Sequence, residues 1–184
     1  MKRVVWLIAL ALAIVVGLPG CGGDTGRAKA FMEQGDRELS RMKPSSDRLQ
    51  SATRTLFEGV FAGGAFDAAS FRKNALEVKK AADDLEAAGA PARNSYSSIR
   101  KLKDVEGYRK YAAVRIEELD LNDRGLALLR SFIETWGSAT GSTGVDPVAF
   151  VGAAKELSAK TAGVASEIRE LESRAAALRR KERL

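Results

Sequence analysis

From Met32 onward, apolar or small residues return at alternating steps of three and four, which is the spacing of a helix seam and not of a strand. The first stretch carries Met32, Gly35, Leu39, Met42, Ser46, Leu49, Thr53, Leu56 and Val60. Its register survives Pro44, so the pattern predicts one long helix kinked there, with two helices as the alternative, ending at Gly63-Gly64. A second stretch runs through Ala68, Phe71, Ala75, Val78, Ala82 and Leu85, with Asp67 as its cap and Gly89-Ala90-Pro91 as its stop. The third is expected from near Asn94 to about Ser138, along Ile99, Leu102, Val105, Tyr108, Ala112, Ile116, Leu119, Leu126, Leu129, Ile133 and Trp136, with bends at Gly107 and at Asn122-Asp123. The Gly/Ser/Thr-rich segment from Gly137 to Val145 reads as a loop. Asp146-Pro147 then caps the most regular seam, Phe150, Ala154, Leu157, Thr161, Val164, Ile168, Leu171, Ala175 and Leu178.

Stripes of this width bury best when helices joined by short loops pack as antiparallel neighbours. The expected fold is all-α, an elongated antiparallel bundle of about four helices with coiled-coil-like packing over residues 27–184. At about 1.5 Å per residue the longer helices reach about 50 Å, which makes the domain a rod. Composition agrees with this picture. Ala, Leu, Glu, Lys and Arg dominate, only 7% of residues are aromatic, and there are four prolines. At 184 residues the chain has room for one domain with a real core.

Ahead of the seams, Met1-Lys2-Arg3 supplies positive charge, Val4 to Val16 runs without a polar residue, and Gly17 to Gly20 forms a small-residue turn. A charged start, short apolar middle and small-residue end are the parts of a secretory signal. A membrane-spanning helix needs about 20 apolar residues, more than this run offers before its Gly-Pro ending. Residues 1–20 are therefore expected to be a cleaved leader. The single cysteine, Cys21, follows at once and cannot form an internal disulfide.

Leu18-Pro19-Gly20-Cys21 resembles the lipobox of bacterial lipoproteins, with an aliphatic residue three before the cysteine and a small one directly before it. Pro19 departs from the usual small or hydroxyl residue. The resemblance is confined to residues 1–21 and implies that Cys21 receives a diacylglycerol thioether and becomes the mature N-terminus. It further implies a protein anchored in the cell membrane or outer membrane, facing the periplasm or the cell exterior, with Gly22 in place of aspartate pointing to the outer membrane if the cell has two. Each buried methylene contributes about 0.8 kcal/mol, so two or three acyl chains anchor stably where one exchanges. Residues 21–26 then read as an acylated cysteine and flexible tether.

Charge and chemistry alter this picture little. The formal charge of +6 falls to about +4 once Lys2 and Arg3 leave with the leader, a weak signal for nucleic acid. There is no histidine, so the commonest general base and metal ligand are missing, and no nucleophile–base set can be assembled; neither an enzyme nor a cofactor is expected. Arg179, Arg180, Lys181 and Arg183 crowd the last helical turns. An up-down-up-down path brings them to the lipidated end, where they either contact an anionic membrane surface or are simply solvated cations at a helix C-terminus. Glu117, Glu118, Asp120 and Asp123 can share a helix face, but pairing with Arg115 or Arg124 is expected in preference to a metal site. Tyr96, Tyr108 and Tyr111, among basic residues, are expected to cover a helix junction with wet hydroxyls. Asn122 and Thr161 interrupt seams with polar groups, a device that can fix register.

Two functions remain open from these residues. One is a binding or scaffolding module tethered near other envelope proteins; the other is a carrier or sensor of a small apolar ligand held between helices, near Phe57, Phe61, Phe66 and Phe71. A deep pocket favours the second and a closed seam the first.

Overall fold

The structure, a computed structural model, describes residues 23–60, 66–139 and 145–184. The leader, Cys21 and Phe61 to Gly64 lie outside these residues. Five helices and no strand occur among the described residues: α1 (Gly23–Arg41), α2 (Lys43–Gly59), α3 (Ala68–Ile99), α4 (Glu106–Ala139) and α5 (Pro147–Lys181). The molecule is an all-α antiparallel bundle. At 35 residues α5 alone extends about 52 Å.

α1 and α2 together run antiparallel along the length of α3. The break between them is the single residue Met42, with Pro44 seated in the first turn of α2, where its missing N–H costs nothing. Met42 stays buried and its side chain packs over Gly89 of α3. Around Gly35 the contact with α3 is closer still, for a Cβ there would lie 2.5 Å from the Tyr96 ring. Asp24 begins α1 by accepting the Lys103 N–H at 2.7 Å, so Gly23 to Gly26 are helical and not the expected tether. A carboxylate in the first turn also favours helix there through the macrodipole.

The boundary between the next two helices lies about ten residues beyond the expected one. Pro91 does not end α3. Its ring faces solvent, while Leu85, Gly89, Ala92, Tyr96 and Ile99 continue the buried stripe across it in register, and packing overrides the propensity of one residue. The chain turns instead at residues 100–105, where Leu102 and Val105 plug the core and Asp104 takes φ 54°. That turn is the irregularity expected at Gly107. Asn122-Asp123 lie inside α4 with no break in the helix, and α4 extends over Gly137 to Ala139. Asp67 and Asp146 cap α3 and α5 as expected, accepting the N–H groups of Ala69 and Ser70 and of Val148.

Backbone neighbours follow chain order: α1 and α2 lie on α3, α3 on α4, and α4 on α5. No Cα of α5 comes within 8 Å of one in α1, α2 or α3. The last helix buries one stripe, Phe150, Leu157, Val164, Leu171 and Ala175, all from the expected seam. Two core clusters result. One, around Met32, Tyr96, Ile99, Tyr111 and Leu119, fills the end holding Gly23, the α3–α4 turn and the C-terminus; the other, around Leu56, Phe71, Val78, Phe132 and Phe150, fills the opposite end. These ends are called the proximal and distal poles.

Gly35→Ala tests the closest approach between helices. At an exposed helical site the change would gain about 1 kcal/mol of propensity. Here it should destabilise by about 1–3 kcal/mol in urea denaturation, because the Tyr96 ring must move.

Candidate functional site

Near the proximal pole the four layers of the bundle meet on one carboxylate. Asp36 of α1 stands one residue beyond Gly35, and the missing Cβ at Gly35 lets the Tyr96 ring of α3 lie flat enough for its hydroxyl to reach back. Asp36 Oδ1 accepts the hydroxyls of Tyr96 and Tyr111, both at 2.7 Å, and Oδ2 accepts Arg179 Nη1 of α5 at 3.0 Å. Arg115 donates from Nε to the Tyr111 hydroxyl at 3.1 Å and from Nη1 to Glu118 at 2.6 Å, with its guanidinium over the Tyr111 ring. The two tyrosine rings meet edge to face. Every hydroxyl in this cluster has a charged acceptor or donor, which suits a polar network in a core.

Burial pushes both tyrosine pKa values up, and donation to Asp36 pushes them further. Burial also raises Glu118, against the opposing pull of Arg115. Burial alone would lower Arg115, but its bonds to Tyr111 and Glu118 outweigh this and raise it. These groups form a clasp. None of them lines the groove described below.

The distal pole is closed by rings. Phe150 of α5 lies 5.8 Å from Phe71, 5.5 Å from Phe132, 5.2 Å from Phe66 and 5.0 Å from Trp136, mostly edge to face, and Phe57 joins at 6.4 Å. Of the phenylalanines expected to line a ligand pocket, Phe66 and Phe71 instead pack against each other and Phe150 to fill this end, whereas Phe57 both joins the rings and faces the groove described below. Of that set, Phe61 lies outside the described residues.

Between the clasp and the distal rings, α2 and α5 stand apart and leave a groove of about 850 Å³. Its floor is Leu85 of α3 with Gly125, Leu126 and Leu129 of α4; its walls are Leu49 and Phe57 of α2 and Phe150, Leu157 and Val164 of α5. Along α5 it runs from Phe150 to Ile168, about 27 Å. Volumes of about 300–1,000 Å³ with mostly apolar walls and a few polar groups are typical of small-molecule sites. The polar groups here are informative. Thr53 Oγ1 is shielded from solvent and has no hydrogen-bond partner among the described residues. Thr161 donates its hydroxyl to the Leu157 carbonyl, and Asn122 donates from Nδ2 to the Glu118 carbonyl. The polar interruptions in the seams therefore line a groove and do not face a partner helix. Lys155 is the one charged lining residue, exposed and without an ion pair among the described residues.

The other candidate residues are accounted for. Arg93 takes both Asp120 and Asp123, Glu118 pairs with Arg115, and Glu117 is exposed on α4. Tyr96 and Tyr111 are buried on Asp36, contrary to the expected wet hydroxyls; Tyr108 is half-buried against the proximal core. Arg179 is drawn onto Asp36, whereas Arg180, Lys181 and Arg183 are exposed. Asp36 itself was not singled out by sequence. Its only sequence signal is an acid directly beside a seam glycine. No family profile matches the chain, and no curated protein or solved structure is significantly similar to it.

Asp36→Ala leaves two buried hydroxyls without their acceptor and should cost about 2–4 kcal/mol in urea denaturation, with Asp36→Asn costing less. The tyrosines add a pH signature. Their folded pKa values lie above the unfolded value of about 10, so the folded state holds their protons longer and stability is unaffected by them below that pH. Above it stability should fall, and tyrosine absorbance should step up together with loss of helix by circular dichroism.

Proposed function

We propose that this protein is a cell-envelope lipoprotein, fastened by acylated Cys21, whose bundle binds one elongated acyl chain with an acidic head in the groove between α2 and α5. The observation that carries this reading is the gap itself: two helices that a four-helix bundle would pack together are held apart over an apolar floor. A narrow channel about 27 Å long suits a chain better than a compact ring system. Lys155 on the rim supplies the cation that would orient a carboxylate-bearing chain. The lining contains no carboxylate and no histidine, so no acid–base step is assigned to it.

The anchor rests on the leader and lipobox-like residues alone. No helix among the described residues is long and apolar enough to cross a membrane. Scaffolding of other envelope proteins is the second reading, favoured by Leu76 and Val148, which are 68% and 80% exposed. Isolated apolar side chains are common on protein surfaces, and the groove is the more specific feature.

Two measurements test this function. Mass spectrometry of the protein from its native host should find a Cys21 N-terminus carrying diacylglycerol; a bare thiol there removes the anchor. A fluorescent long-chain fatty acid should bind the bundle, Ala154→Trp should weaken it at least tenfold by filling the groove, and Lys155→Glu should weaken the acid more than the matching alcohol. Binding that ignores Ala154→Trp removes the groove as the site.

A further inference from the structure

The proximal pole gathers the exposed basic residues of two separate segments. Arg100, Lys101 and Lys103 lie in the α3–α4 turn, and Arg180, Lys181 and Arg183 at the end of α5. The two groups are adjacent, because Glu182 packs over Gly107 at the start of α4, where a Cβ would lie 3.1 Å from its own. All six side chains are exposed and none has an ion pair among the described residues. Of the acids at this pole, Asp24 is committed to the Lys103 N–H and Arg27 and Glu106 to Arg109 and Lys110, while Asp104 and Glu182 have no ion pair among the described residues, so the six cations outnumber the free acids three to one.

The backbone holds this surface in place at some strain. Only Asp104 and Arg183 among the described non-glycine residues have positive φ, and both lie at this pole. At Arg183, φ 53°, the chain closes the motif that usually ends a helix with glycine: the Leu184 N–H reaches the Arg179 carbonyl at 3.0 Å, and Leu184 tucks against the proximal core. An arginine thus occupies a position where glycine would be easier.

α1 starts at Gly23, two residues beyond Cys21, and two residues span at most about 7 Å. A lipid on Cys21 therefore brings this end of the rod to the bilayer surface. We infer that the proximal pole is a docking surface for the anionic headgroups of the membrane that holds the Cys21 lipid, through Arg100, Lys101, Lys103, Arg180, Lys181 and Arg183. The inference rests on the anchored reading above. It adds that the rod stands end-on, its groove beginning at Ile168, about 20 Å from Lys181 along α5. Each cation near such a surface contributes up to about fivefold in binding, so a few together hold the pole down. The bare alternative, cations solvated at a helix end, predicts no dependence on lipid charge.

The test uses the full processed protein reconstituted in vesicles of phosphatidylglycerol or of phosphatidylcholine, read by amide hydrogen exchange. Exchange at residues 100–105 and 180–184 should slow by on the order of tenfold on phosphatidylglycerol only, and high salt should abolish the difference. The combined variant Lys101→Gln, Lys103→Gln, Arg183→Gly should lose the protection while keeping its thermal stability, because glycine relieves the positive φ at 183. Equal exchange on the two lipids, or protection that survives the combined variant, overturns the inference. Failure of the anchor looks different: the protein then washes off its native membranes in high salt without a lipid on Cys21. In that case the released protein is added to the same vesicles, where slower exchange on phosphatidylglycerol still supports the pole and equal exchange still overturns it.

Discussion

α5 is held to the rest of the rod at its two ends. At the proximal end Arg179 closes on Asp36, the one ion pair between α5 and another helix among the described residues; at the distal end Phe150 sits among five other rings. Between these points a single seam joins it to α4 and nothing joins its backbone to α2. This arrangement decides where the molecule is solid and where it is open. Two cores form at the poles, and a groove forms between them because neither core extends across the gap.

The clasp is a costly way to fix one end of a bundle. A half-buried carboxylate must be matched on both oxygens, and the match here comes from three different helices. Apolar packing could hold the same helices with less desolvation. What the network adds is direction: with Arg179 on Asp36, Thr161 and Val164 of the same helix line the groove while Arg180 and Lys181 face out. Groove and pole thus lie on either side of the same contact.

The seams of α2 and α5 were legible in the sequence because each follows one neighbour over many turns, so its period is undisturbed. The α3–α4 boundary was not. Pro91 is a strong local stop signal, but it falls on the solvent face, where the helix tolerates it and the buried stripe runs past. The clasp was hidden for another reason: its bonds link residues 60, 75 and 143 positions apart, and no local pattern encodes such a meeting. Asn122 and Thr161 stood out as polar seam positions and Thr53 passed as an ordinary seam residue, yet a seam that fixes register and a wall that lines a groove look alike until the opposite helix is placed.

The separation of α2 from α5 is the feature on which the rest turns, and paired cysteines measure it directly. In a Cys21→Ser background, Thr53→Cys with Thr161→Cys spans the groove, where no pair of Cα atoms lies within 8 Å, too far for a disulfide without backbone movement. Gly125→Cys with Val164→Cys spans the α4–α5 seam, where a Cβ at 125 lies 3.6 Å from Val164 Cγ1, and serves as the positive control. Under mild oxidation the control pair should close and the cross-groove pair should stay reduced. Equal closure of both pairs would contradict the open groove.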